Sequence, residues 1–120
     1  MQAPAPTELR YRQERCELTI AWEREQYVLG AEFLRVHSPS AEVRGHGPGQ
    51  EVLQTGKEDV NIVAIEPVGQ YAIRLVFSDE HDTGLYSWDY LYDIGINQEP
   101  LWNSYLERLA AAGITRKETS

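Results

Sequence analysis

The stretch Val60–Phe77, VNIVAIEPVGQYAIRLVF, decides the fold. Two apolar runs are interrupted by Pro67-Val68-Gly69, the residue types that build a hairpin turn. In the second run Tyr71, Ile73, Leu75 and Phe77 alternate onto one face, and Ala72, Arg74, Val76 and Ser78 onto the other. Arg74 marks that second face as at least partly wet. A polar turn, SDEHDTG (78–84), then leads into a short strand, LYS (85–87).

Upstream, CELTIAW (16–22) alternates in the same way, with Cys16, Leu18, Ile20 and Trp22 on one side. LRYR (9–12) can pair with it through a turn at Gln13-Glu14, and YVLG (27–30) can follow it beyond the polar EREQ. Downstream the period changes. In SWDYLYDIG (87–95), Ser87 suits a helix N-cap, Asp89 the first turn and Gly95 the stop. EPLWNSYLERLAAAG (99–113) has Pro100 in its first turn and Gly113 past its last. Leu101, Trp102, Tyr105, Leu106 and Leu109 form its apolar stripe. Strands first and helices after predict an α+β fold of two layers. It comprises an antiparallel sheet of about five to six strands with short helices and a C-terminal helix. Residues 1–7 and 114–120 are expected to be flexible, leaving 8–113 as a single domain.

A chain of 120 residues can bury a core of its own. Nineteen acidic residues against eleven Lys and Arg give a net charge of −8, which repels phosphate backbones and argues against nucleic acid. No apolar run approaches the ~20 residues of a bilayer-spanning helix, and no secretory leader is visible, so no membrane association and a cytoplasmic location are expected. Cys16 is the sole cysteine, so neither an internal disulfide nor a thiolate cluster can form within the chain.

The polar chemistry concentrates in LRVHSPSAEVRGHGPGQ (34–50). GAEFLRVH (30–37) reads as a short helix, and Ser38-Pro39 as the cap and first-turn proline of a second helical turn before a glycine-rich loop. His37, His46 and His81 are all the histidines, and with Asp79 they are the candidate metal ligands, for zinc or iron. No ligand motif such as HExxH accompanies them, and loop histidines making local hydrogen bonds are the simpler reading. Arg35 and Arg44 beside the glycines could hold an anion or small ligand, although the pattern matches no phosphate loop. Cys16 on the apolar face of a strand reads as a buried structural thiol, not a nucleophile. Ser38 and Ser40 lack the elbow of a serine hydrolase, and Asp79 and Asp82 sit in a turn where solvation is the default. YSWDYLYD (86–93) holds more aromatics than one helix face can hide, which offers Tyr90 or Tyr92 to a partner surface.

Three phrases together, AEFLRVHSPSAEVRGHGPGQ, GKEDVNIVAIEPVGQYAIRLVFSDEHDTGLYSWDYLYDIG and LWNSYLERL, resemble the small N-terminal domain of gamma-butyrobetaine hydroxylase-like enzymes. The resemblance covers about residues 8–112. It implies a member of the short bacterial type that stands alone, in a family in which some members are fused to P-loop ATPases resembling iron–sulfur carriers. In the hydroxylases the domain carries a structural zinc on three cysteines and a histidine. Those positions fall here on Ser38, Ser40, Val43 and His81, so only the histidine remains. The oxygenase domain of those enzymes holds iron with His-x-Asp/Glu, and none of His37, His46 or His81 is followed two residues later by an acid. The expectation is therefore a non-catalytic accessory domain that binds an unknown protein partner, with iron–sulfur or metalloenzyme systems as the context that the resemblance implies. The alternatives are a histidine metal site and an anion site at the glycine loop. No cofactor is assigned.

Overall fold

The computed structural model describes residues 3–45 and 49–116. Six antiparallel strands divide into two three-stranded sheets. The first is a meander of β1 (Glu8–Arg12), β2 (Glu17–Ala21) and β3 (Gln26–Gly30). The second contains β4 (Ile62–Val68), β5 (Ala72–Phe77) and β6 (Leu85–Ser87) in that order. Between the sheets lie α1 (Ala31–Val36) and α2 (Ala41–Arg44). After them come α3 (Trp88–Ile96) and α4 (Gln98–Ala111).

The alternation read in the sequence fills the core. Leu18, Ile20 and Leu29 of the first sheet meet Ile73, Leu75, Phe77 and Tyr86 of the second, with Phe33, Leu34, Leu91 and Ile94 from the helices. Truncating a large member of this set to alanine costs about 2–5 kcal/mol, because a cavity is left behind. Tyr11 stitches the sheets together: its hydroxyl accepts from Ile62 N at 3.0 Å and donates to Asn61 Oδ1. Tyr86 is fully buried, and its hydroxyl donates to the Leu34 carbonyl.

Turn details differ from expectation where local sequence gives only part of the signal. Pro67 lies inside β4, opposite Ile73, and the turn is Gly69–Tyr71. A proline is tolerated there because β4 is an edge strand. Cys16 is not a strand residue. It closes the four-residue turn between β1 and β2 at φ 52°, half-buried, with its thiol 3.6 Å from the Gln13 carbonyl. Gly95 does not stop α3, which runs on to Ile96. A β-carbon at Gly95 would lie 3.0 Å from Tyr27 Cγ, so the glycine lets the helix approach β3.

Ser87 caps α3 as expected, its hydroxyl accepting from Tyr90 N at 3.1 Å. Beyond α4, Gly113 turns to φ 72°. Gly113 N then bonds Ala110 O, and Ile114 N bonds Leu109 O, which satisfies the last carbonyls of the helix. Of the two ends expected to lie outside the folded body, the described parts are bonded to it. Thr7 N reaches Ala21 O at 2.7 Å, and Trp22 Nε1 donates to Pro4 O at 2.8 Å. Arg116 pairs with Glu32 and lies over the Trp102 ring. No helix among the described residues is long and apolar enough to cross a membrane.

Candidate functional site

The corner between α1 and α2 collects most of the polar side chains singled out above. Every residue of α1 is buried, including Glu32 and Arg35, because the helix runs between the sheets and α4. Charges in such a place need partners. Arg35 Nε donates to Asp79 Oδ2 at 2.9 Å and Nη1 to Gln54 Oε1 at 3.0 Å, while Lys57 Nζ lies 2.7 Å from the same Asp79 oxygen. Arg35, expected to face a ligand, is thus an internal residue. Its guanidinium is consumed by the turn that precedes β6. Burial pushes the Asp79 carboxyl up. Lys57, the His81 backbone N–H and Arg35 more than offset this and bring it to about 2.

His81 lies beside this pair and is closed off. Its Nε2 is 2.9 Å from Ser38 Oγ, and its Nδ1 faces Glu42 Oε2 at 3.4 Å. Ser38 Oγ also accepts from Ser40 N at 3.3 Å. Ser40, not Ser38, is the N-cap of α2, accepting from Glu42 N at 3.1 Å. Val43 follows one turn along, its N–H on Ser40 O. The four positions onto which the resemblance maps zinc ligands therefore share one buried corner. They do not suit that metal: two neutral hydroxyls and an aliphatic chain replace thiolates, and both nitrogens of the one imidazole face protein groups.

Ser38, His81 and Glu42 also stand in the order of a serine–histidine–carboxylate relay, which the sequence did not suggest. The nucleophile position is sealed. Ser38 is 1% exposed, and a β-carbon on Gly84 would come within 2.5 Å of its Oγ. Burial and the nearby Arg35 lower the His81 pKa, with Glu42 and Asp79 opposing them, so the ring is a weakened base. The arrangement holds the corner together: Ser38 stands in the wall of the groove described next, but it is 1% exposed and its Oγ is engaged by His81 and by Ser40 N.

His37 is on the other side of the same corner. Its Nδ1–H donates to Phe33 O at 2.9 Å and its ring packs on Phe33. Burial lowers its pKa, and Arg108 lowers it further against the Phe33 hydrogen bond. Beside it opens a groove of about 570 Å³ lined by Val36, Val43, Arg44, Val52, Tyr90 and Arg108, with Glu51 in its wall. The Arg44 guanidinium sits 4.9 Å from the Tyr90 ring centroid, and the Tyr90 hydroxyl donates to His37 O. Burial raises the Tyr90 pKa, while Arg44 counteracts it. Arg44 and Tyr90, 46 positions apart in the sequence and in no shared motif, are thus brought together. Arg108 and Val52 are not singled out by the sequence: Arg108 lies off the apolar stripe of its helix, and Val52 stands in an irregular segment. Tyr92 lies elsewhere, edge-on to Trp22 and Tyr27, with its hydroxyl on Glu25. His46 lies outside the described residues. Among the described residues no group of three or more His, Cys, Asp and Glu is placed to hold a metal.

A different surface is open on the second sheet. Its inner face is core, but on the other side Val63 is 60% exposed, Leu85 50% and Val68 39%. Half-buried Ala64, Ala72 and Val76 lie between them. Arg74, opposite Leu85 in the register, is held by Glu66 and Asp82.

A sequence model of the gamma-butyrobetaine hydroxylase-like, N-terminal family matches residues 9–92. Two solution structures determined by NMR are similar over 98% of this chain. One is 47% identical, is covered over 94% of its own length and has a TM-score of 0.84. The other is 50% identical, covered over 89%, with a TM-score of 0.82. A crystal structure from Acidithiobacillus ferrooxidans, described as a protein with unknown function of the DUF971 family, is 34% identical. It matches 75% of this chain and 91% of its own, with a TM-score of 0.63. No curated protein matches.

Proposed function

The chain belongs to the gamma-butyrobetaine hydroxylase-like, N-terminal family, and from that premise we propose that it is a non-catalytic binding module that docks on another folded protein through the outer face of its second sheet. The carrying observation is the row of exposed Val63, Val68 and Leu85 on a face whose reverse side is core. Exposed aliphatic side chains bordered by polar groups are a composition that a protein interface uses. The Glu66–Arg74–Asp82 cluster neutralises the charges on this face among themselves. The net charge of −8 favours a partner whose contact surface is ringed by basic side chains. The groups that resemble catalytic machinery, Ser38 and His81, are engaged with each other inside the fold. The family's fusions to ATPases that resemble iron–sulfur carriers make metallocluster assembly the first context in which to look.

The test uses the full chain and a Val63→Lys/Leu85→Lys variant, both natively expressed and affinity-captured. A protein captured by the first should bind the purified chain directly, more weakly as salt rises, and should lose at least tenfold in affinity for the variant. The variant should keep the wild-type amide spectrum. Turnover of a small substrate by the purified chain, or equal binding by the variant, defeats the proposal.

A further inference from the structure

We propose that the groove beside His37 is a binding site for a small monocarboxylate with an apolar body, its charged head held between Arg44 and Arg108. Arg10, Arg35, Lys57, Arg74 and Arg116 each have a carboxylate partner. Arg12, Arg15, Arg24, Arg44 and Arg108 have no ion pair among the described residues, and of these Arg44 and Arg108 line this one groove.

Arg44 is also pre-positioned. Its guanidinium lies over the Tyr90 ring, 4.9 Å from the centroid, and Tyr90 is fixed in turn through its hydroxyl on His37 O. A guanidinium carries five N–H donors in a planar fork, more than its contact with one tyrosine uses, and a carboxylate accepts from such a fork. Little conformational freedom remains to be lost on binding.

The rest of the lining sets the ligand class. Val36, Val43 and the Tyr90 ring offer an apolar wall, and Val52, 52% exposed, adds an uncovered aliphatic rim. About 570 Å³ is within the range of small-molecule sites. Glu51 in the wall, and the acidity of the whole chain, oppose a multiply charged anion such as phosphate. One carboxylate head and an aliphatic or aromatic body satisfy both halves of the groove. None of these residues belongs to the open sheet face, so the two proposals stand or fall separately.

The experiment is a titration of the isotopically labelled full chain with hexanoate at constant ionic strength, following backbone amides and arginine Nε–H. Acetate, hexan-1-ol and inorganic phosphate serve as separate arms. Saturable shifts are expected at Val36, Arg44, Val52, Tyr90 and Arg108, with acetate and hexan-1-ol each binding at least tenfold more weakly. Arg44→Gln and Arg108→Gln should each weaken hexanoate about tenfold, the loss of one charge-assisted hydrogen bond. Arg44→Lys, which keeps the charge without the planar fork, should fall between. Both arginines are exposed, so the variants should retain the native spectrum. Absence of saturation at millimolar hexanoate overturns the proposal, as does affinity unchanged in both Gln variants. Phosphate binding as tightly as hexanoate overturns the monocarboxylate class, and hexan-1-ol doing so overturns the charged head.

Discussion

His81 and His37 flank the same α1–α2 corner, and both rings are pushed toward the neutral form by burial. On the His81 side the polar atoms look inward. Ser38, Ser40 and Glu42 close around the ring, and Arg35, Lys57 and Asp79 close beside it. On the His37 side two arginines and an exposed valine are left facing an open groove. The same residue types therefore serve folding on one side and are free for a ligand on the other. What separates them is whether the fold has already supplied each charge with its counter-charge, and that depends on residues far away in sequence.

The comparison can be broken most forcefully by giving the closed side its thiolates. A Ser38→Cys/Ser40→Cys/Val43→Cys variant would place three sulfurs beside His81. It should take up one zinc per chain, with about 10 kcal/mol of binding free energy, seen by metal analysis and a raised melting temperature. A metal-free variant would show that the closed corner is not a replacement for a zinc site.

Next in size, Asp79→Ala leaves the Arg35 guanidinium buried without its carboxylate. It should destabilise the fold by about 3 kcal/mol in urea unfolding. The pH dependence has a defined sign. The Asp79 pKa is depressed in the folded chain, so its contribution is complete above the ordinary value near 4. It is lost as pH falls through about 2. Ser38→Ala removes one partner of the buried His81 ring and should cost about 1–2 kcal/mol.

Both histidines have lowered pKa values in the fold, so the unfolded chain binds protons more readily. Their contribution is present above about 6.5 and declines as pH falls below it. Urea midpoints between pH 7 and 5 should record a slope that His81→Gln reduces. The smallest effect belongs to the open side. Arg44→Gln should change stability by no more than about 0.5 kcal/mol, while weakening hexanoate. A larger loss would mean that the groove is also part of the scaffold.

Much of this was legible beforehand for a physical reason. Alternation in β5, and the caps at Ser87 and Gly113, are local patterns that the structure uses as they stand, whereas the central strand β2 buries Thr19 as well as Leu18 and Ile20. The six strands and the C-terminal helix follow from them. Arg35 was not legible, because a six-residue helix buried on every side breaks the rule that its charged residues face water. Its partners, Gln54 and Asp79, are 19 and 44 positions away. Gly95 reads as a helix stop, but close approach to Tyr27 gives the glycine a different use. Of the groove, Arg44 and Tyr90 were visible as single residues. Their contact, and the arrival of Arg108 from α4, required the tertiary fold.

Arg116 has a consequence for how the domain can be cut or joined. Its guanidinium covers the buried Glu32 carboxylate and the Trp102 ring from beyond the end of α4. A shortened version ending at Gly113 would keep every helix and strand and still expose a carboxylate inside the fold. The functional boundary of the unit is therefore set by a side chain, three residues past the last turn of backbone, and a junction with another domain is best placed after it.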